Sequence, residues 1–220
     1  MAADIEREVQ ILSGQAILTG NLSVPSGATG IVLFAHGSGS SRHSSRNVFV
    51  ARTLQRAGIG TLLFDLLTRA EEEVDIYTRE HRFDIGLLAA RLAYATQWID
   101  GESGLRDARI GYFGASTGSA AALVAAAKLG DRVSAVVSRG GRPDLADEAL
   151  PHVTAPTLLI VGGADDVVIE LNQRAYKHLV CEKRLTIIPH ASHLFEEPGT
   201  LEQVASFAAE WFGRHLRTAT

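Results

Sequence analysis

The sequence predicts an α/β architecture built on a mostly parallel sheet, and three features point to it. Short unbroken apolar runs recur along the chain and stop at glycine, proline, aspartate or arginine–glycine positions. Segments with helical spacing of apolar residues lie between them. Only the first stretch alternates apolar with polar residues. Continuous apolar runs read as strands buried on both faces, and strands alternating with helices build a parallel sheet.

The early alternation of Val9 and Ile11, then Leu18, Gly20, Leu22 and Val24, predicts an antiparallel hairpin at a sheet edge. Buried strands follow at Ile31–Phe34, Thr61–Phe64, Arg109–Phe113, Ala135–Ser138, Thr157–Val161 and Leu185–Ile188. Val48, Ala51, Leu54 and Ala57 mark a helix stopped by Gly58. Ile85, Leu88, Leu92, Ala95 and Ile99 step by three and four along one helical face. Thr117–Leu129 is a small-residue helix with Gly130 as its C-cap. Helices over Asn172–Leu179 and Leu201–Phe212 complete the set, and the charged run Arg69–Glu73 reads as a solvated loop.

Composition narrows the function classes. The chain has 220 residues, 46% hydrophobic and 21% charged, so it has enough apolar material to offset ordering entropy. Cys181 has no second cysteine to pair with, which excludes a disulfide scaffold, and it reads as a thiol without a role. A formal charge of −4 with mixed signs and only 6% aromatic residues argue against nucleic acid as a partner. The N-terminus lacks the basic and apolar regions of a signal peptide, and Ala120–Ala127 suits a buried helix better than a lipid-facing one. A cytoplasmic protein without a membrane partner is the expectation, and residues 1–220 are expected to form one domain, as a monomer or homodimer.

The chemistry concentrates in Gly114-Ala115-Ser116-Thr117-Gly118, which joins an apolar strand to an alanine-rich helix. This is G-x-S-x-G in the strand–turn–helix setting of a nucleophile elbow. Gly114 and Gly118 remove side chains that would collide where the turn is tightest, and the helix N-terminus aims N–H groups at the site. A serine needs a base, and the base an orienting acid. Both follow in the order Ser, Asp, His, each at the carboxyl end of a strand. Asp165 is favoured as the acid from Gly162-x-x-Asp165-x-x-Val168, with Asp166 the alternative. His193 is favoured as the base because Leu194-Phe195 can anchor it, with His190 the alternative. The oxyanion donors expected are the N–H groups of Thr117 and of Ser38, in the loop His36-Gly37-Ser38-Gly39. His36 ends a strand and reads mainly as structural. Together with Arg42, Arg139 and Arg142 it is also a candidate for contact with substrate; with His43 and Arg46 these arginines read either as a basic rim that attracts an anionic substrate or simply as surface charges of a net acidic protein. His190-x-x-His193 with the aspartates does not match a zinc motif, so no metal is expected, nor any organic cofactor.

Through Phe34-Ala35-His36-Gly37-Ser38-Gly39, the Ser116 elbow, Gly162-Gly163-Ala164-Asp165 and His193-Leu194-Phe195, nearly the whole chain resembles the α/β-hydrolase superfamily. Its compact size is similar to the dienelactone hydrolase-like group. The resemblance implies an eight-stranded sheet with the second strand antiparallel and helices on both faces. Dienelactone hydrolase itself carries a cysteine nucleophile where Ser116 stands, so ester hydrolysis is what the resemblance implies here. The stretch between Ser138 and Thr157 leaves no room for a cap domain, so a shallow site for small or protruding acyl groups of a small-molecule ester is expected, bordered by residues 69–82 and 139–150. Thioesterase, peptidase or acyltransferase chemistry could use the same triad, and a ligand-binding member of the fold without catalysis is the remaining class.

Overall fold

The computed structural model describes residues 4–28 and 30–217. One eight-stranded sheet runs in the order β1-β2-β4-β3-β5-β6-β7-β8. The strands are β1 (Ile5–Ser13), β2 (Ala16–Val24), β3 (Gly30–Ala35), β4 (Gly60–Phe64), β5 (Arg109–Ala115), β6 (Val133–Arg139), β7 (Thr157–Gly162) and β8 (Lys183–Ile188). β2 is antiparallel to β1 and to β4, and every other neighbouring pair is parallel. The hairpin expected at the edge is therefore there: Ile11 and Leu18 are buried, while Leu12 and Ile17 on the opposite face are exposed.

The helices are α1 (Ser45–Arg56), α2 (Arg69–Thr78), α3 (Ile85–Gly101), α4 (Thr117–Leu129), α5 (Asp166–His178) and α6 (Thr200–His215). Because side chains alternate along a strand, the central strands feed two cores. Leu33, Leu62 and Tyr112 pack with the apolar faces of α3 and α4 on one side. Val32, Phe34, Leu63 and Phe113 pack with α1 and α6 on the other. Between β6 and β7 stands only a kinked 3₁₀ stretch, Pro143–His152, so among the described residues no cap covers the sheet there.

Two expectations need correction. Arg69–Glu73 is not a solvated loop but the start of α2. Thr68 and Glu71 form a capping box: the Glu71 N–H donates to Thr68 Oγ1 at 3.3 Å and the Thr68 N–H to Glu71 Oε2 at 2.7 Å. Glu71 also pairs with Arg91, which is buried on α3. The acidic residues suit a helix N-terminus, where the dipole favours negative charge. The fifth helix begins at Asp166, not Asn172; Val167 in its first turn is 70% exposed, which blurred the apolar stripe.

Candidate active site

β5 delivers Ser116 to the carboxyl edge of the sheet, and α4 starts one residue later. Ser116 has φ 51° and ψ −123°, a backbone conformation that side-chain-bearing residues rarely adopt. The surroundings hold it there. Its N–H donates to the Arg139 carbonyl at 3.2 Å, and its own carbonyl accepts from Ser119 N–H at 3.0 Å and Arg142 N–H at 3.1 Å. The turn is so tight that a Cβ on Gly118 would lie 2.1 Å from the Ala35 carbonyl oxygen, and one on Gly114 would lie 2.4 Å from Ser119 Cα. Glycine is required at both positions by close approach.

The acid loop leaves β7 and turns into α5 at Asp165. Asp165 stands at the N-cap but does not cap the helix. Its Oδ2 instead accepts a hydrogen bond from His193 Nδ1 at 2.6 Å. His193 is in the loop after β8, which the acid loop grips: Gly163 N–H donates to the Ile188 carbonyl at 2.8 Å and Ala164 N–H to the Ala191 carbonyl at 2.9 Å. The expected anchor is one residue deep: Phe195 is buried, while Leu194 is exposed. Glu197, which sequence reasoning missed, accepts from Ser192 N–H at 2.9 Å and is held below the usual carboxylate range by that bond. No motif marks it. The alternatives fall elsewhere: Asp166 is exposed in the first turn of α5, and His190 is exposed at a left-handed turn position with φ 63°.

Ser116, His193, Arg139, Arg46 and Gly37 line one cavity of about 260 Å³. Among the described residues no hydrogen bond joins the Ser116 and His193 side chains.

The two residues expected as oxyanion donors divide. The Thr117 N–H is at the free N-terminus of α4, beside the serine. The Ser38 N–H, by contrast, donates to Thr117 Oγ1 at 3.1 Å, and the two hydroxyls are 3.0 Å apart. The structure thus brings both residues to the elbow, with the Ser38 amide occupied by the Thr117 side chain.

His36, a candidate for contact with substrate, is buried, and backbone groups take both of its ring nitrogens. Leu66 N–H donates to Nε2 at 2.9 Å, which leaves the proton on Nδ1 for the Gly37 carbonyl at 3.0 Å. Burial holds its pKa below the usual value and so keeps the ring neutral. It ties β3 to the chain after β4, and it also lines a cavity of about 170 Å³ beside the elbow.

The arginines separate as well. Arg42 is paired with Asp65 and, at 3.3 Å, with Glu8, away from the Ser116 cavity. Arg142 is held by Asp144 at 2.9 and 2.7 Å. Arg139 alone of the three lines the Ser116 cavity. Cys181 is half-buried beside Thr157, and burial pushes its thiol up.

A second cavity of about 170 Å³ adjoins the elbow at Gly37, Ser38 and Thr117. Leu66, Leu67, Ile76 and Leu88 give it apolar walls, and Glu72, Asp75 and Arg82 stand at its side. Burial, then the nearby Asp65 and Asp75, raise the Glu72 carboxyl pKa. The border expected from residues 69–82 is thus largely the helix α2.

A hydroxyl on a strained turn, an imidazole and a carboxylate gathered at one cavity can relay a proton and form an ester bond to the serine. The chain is 61% identical to a dienelactone hydrolase from Anabaena variabilis, with a TM-score of 0.96 over 98% of this chain and 100% of that one. An esterase of Pyrococcus furiosus, 17% identical, shares the fold with a TM-score of 0.76 over 97% of this chain and 92% of its own. A Mycobacterium tuberculosis protein provisionally named a phosphoribosyl transferase is 57% identical over 96% of this chain. The chain spans 47% of that protein, about half the length of the curated relatives it matches. No helix among the described residues is long and apolar enough to cross a membrane. The α/β hydrolase fold model matches residues 30–155, more than half of the chain, and with the relative of 61% identity it shows that this protein belongs to the α/β-hydrolase family.

Proposed function

We propose that the protein is a serine hydrolase that cleaves carboxylic esters of small or protruding acyl groups through an acyl-enzyme. The 2.6 Å contact between Asp165 and His193, at the cavity that holds Ser116, carries this reading. The relatives named as a dienelactone hydrolase and an esterase support the same class of chemistry.

Ser116 Oγ attacks the ester carbonyl while His193 Nε2 takes its proton. Asp165 holds Nδ1–H, fixing the tautomer in which Nε2 is a free base, and its charge stabilises the imidazolium. The oxyanion that develops lies at the N-terminus of α4, where the Thr117 N–H and the helix dipole meet it. For Ser38 to serve as the second donor, its amide must exchange Thr117 Oγ1 for the oxyanion. His193 then protonates the leaving alcohol, and water activated by the same ring releases the acid. The cavity of about 170 Å³ beside the elbow has room for a short apolar group and suits small acyl chains.

Active-site labelling with a fluorophosphonate tests the reading. Labelling should map to Ser116, and Ser116→Ala should abolish both the label and turnover of p-nitrophenyl butyrate. Labelling of the variant at the native rate overturns it. Side-by-side oxygen-ester, thioester and peptide substrates separate the esterase from the other chemistries open to this triad.

A further inference from the structure

Arg139 is the last residue of β6, directly beside the nucleophile, and its side chain is only 7% exposed. Among the described residues it makes no ion pair and no side-chain hydrogen bond, and its Nε is buried without a partner. Its guanidinium lies 5.9 Å from the centre of the Phe195 ring, which holds it in place without neutralising it. Burial, and then the like charge of Arg46, push its pKa down to about 10, so it remains cationic at neutral pH.

An unpaired buried charge is costly, and here a second cation stands beside it. Arg46 lines the same cavity, also has a buried Nε without a partner, and meets only the exposed Glu196, at 3.9 Å. The cavity also receives the N-terminus of α1, with Ser44 as its N-cap and no acidic residue in its first turn. Asn47 lines the cavity as well, and its side-chain oxygen, buried without a partner among the described residues, is an acceptor that does not attract an anion. Among the described residues, two guanidinium groups and a helix N-terminus therefore line one space, and against them stand the Asn47 oxygen, the distant Glu196 and Asp165, whose charge is taken up by His193. Both guanidinium groups and the helix N-terminus attract an oxyanion, and planar guanidinium forks match phosphate oxygens well. Two positive charges and a helix dipole suit a group of charge near −2, as a phosphate monoester carries at neutral pH.

We propose that Arg139 and Arg46, with the N-terminus of α1, form an oxyanion site that holds the phosphate group of a phosphorylated ester beside Ser116. That the oxyanion belongs to a substrate rests on the hydrolase reading; the site itself does not. Arg139 is then a specificity-determining residue, because the group it holds fixes which side of the substrate faces the serine.

Calorimetric titration of inorganic phosphate, and separately of acetate, into the Ser116→Ala protein tests the site without any turnover. Phosphate should bind, and more tightly than acetate. Combining Ser116→Ala with Arg139→Gln should weaken phosphate on the order of tenfold or more, the scale of a lost charge-assisted hydrogen bond. Arg46→Gln, at a partly exposed side chain that the fold tolerates more readily, should weaken it in the same direction. In the native protein phosphate should inhibit ester turnover competitively. Absence of phosphate binding, or binding unaffected by both arginine substitutions, overturns the site. Acetate bound as tightly as phosphate overturns its assignment to phosphate. If phosphate binds through Arg139 while fluorophosphonate fails to label Ser116, the hydrolase reading fails and the oxyanion site stands.

Discussion

The His193 ring donates from Nδ1 to Asp165 Oδ2 at 2.6 Å, while Asp166, the next residue, is exposed in the first turn of α5. This one contact separates two adjacent aspartates and, with them, two nearby histidines. Asp165→Asn should leave the fold intact and lower kcat about 10⁴-fold, because the amide favours the wrong imidazole tautomer. Asp166→Asn and His190→Ala should change kcat/KM by no more than about threefold, as expected for exposed surface positions. Steady-state kinetics on p-nitrophenyl butyrate checks all three, and comparable losses at Asp165 and Asp166 would refute the assignment.

Thr117 Oγ1 accepts the Ser38 N–H and meets the Ser38 hydroxyl, so one side chain ties the loop after β3 to the elbow. Thr117→Val keeps the shape and frees the Ser38 amide, but leaves the loop that carries it unanchored at the elbow. The expected result is a loss of roughly tenfold in kcat with little change in KM, about 1.4 kcal/mol of transition-state stabilisation. Thr117→Ser should restore most of it. A rise in KM at constant kcat would instead place Thr117 in ground-state binding.

Gly118 packs against the end of β3 with no space for a methyl group. Gly118→Ala drives Cβ into the Ala35 and His36 carbonyl oxygens, both backbone atoms that cannot step aside. Destabilisation of about 3 kcal/mol or more is expected, beyond the usual range for a single substitution. Urea unfolding monitored by circular dichroism measures it, and a native-like midpoint would show that the elbow is looser than its geometry implies.

Acid should weaken the fold through Glu71. Burial alone raises this carboxyl, but hydrogen bonds from Arg91 and from the Thr68 backbone and hydroxyl, with the Arg91 charge, outweigh it and bring the pKa from an ordinary 4.5 down to about 2. A carboxyl whose folded pKa is depressed adds stability that is fully present above the ordinary value and is lost as the pH falls through the folded one. The contribution, at most about 3 kcal/mol because the side chain is a quarter exposed, should fade between pH 4.5 and 2. Glu71→Gln should lower the urea midpoint at pH 7, where Arg91 is left without its counterion, and flatten the pH dependence below 4.5. Parallel acid profiles for the two proteins would show that the pair is not what is titrating.

The sequence by itself determined the succession of strands along the chain and of every helix but α2, because unbroken apolar runs and stripes of period near 3.6 mark buried strands and amphipathic helices before any contact is known. It also placed Ser116, Asp165 and His193 at three strand ends, since tight turns there demand glycine at fixed spacing from a reactive side chain. It favoured Asp165 over Asp166 and His193 over His190 but could not exclude either alternative by pattern alone. Those are choices of direction, and direction depends on how the loops after β7 and β8 grip each other through Gly163 and Ala164. The Thr68–Glu71 capping box was written in the chain, yet a charge run looks the same in a helix as in a loop until Arg91 is brought from 20 residues away. The arginines show the limit most clearly. Arg42, Arg139 and Arg142 read alike in sequence, but packing gave Arg42 to Asp65 and Arg142 to Asp144, and left Arg139 buried beside the serine without an ion pair among the described residues. Asp144 is a near neighbour of Arg142 in the chain, but Asp65 reaches Arg42 from 23 residues away, and the burial of Arg139 is likewise set by elements that only the tertiary structure brings together.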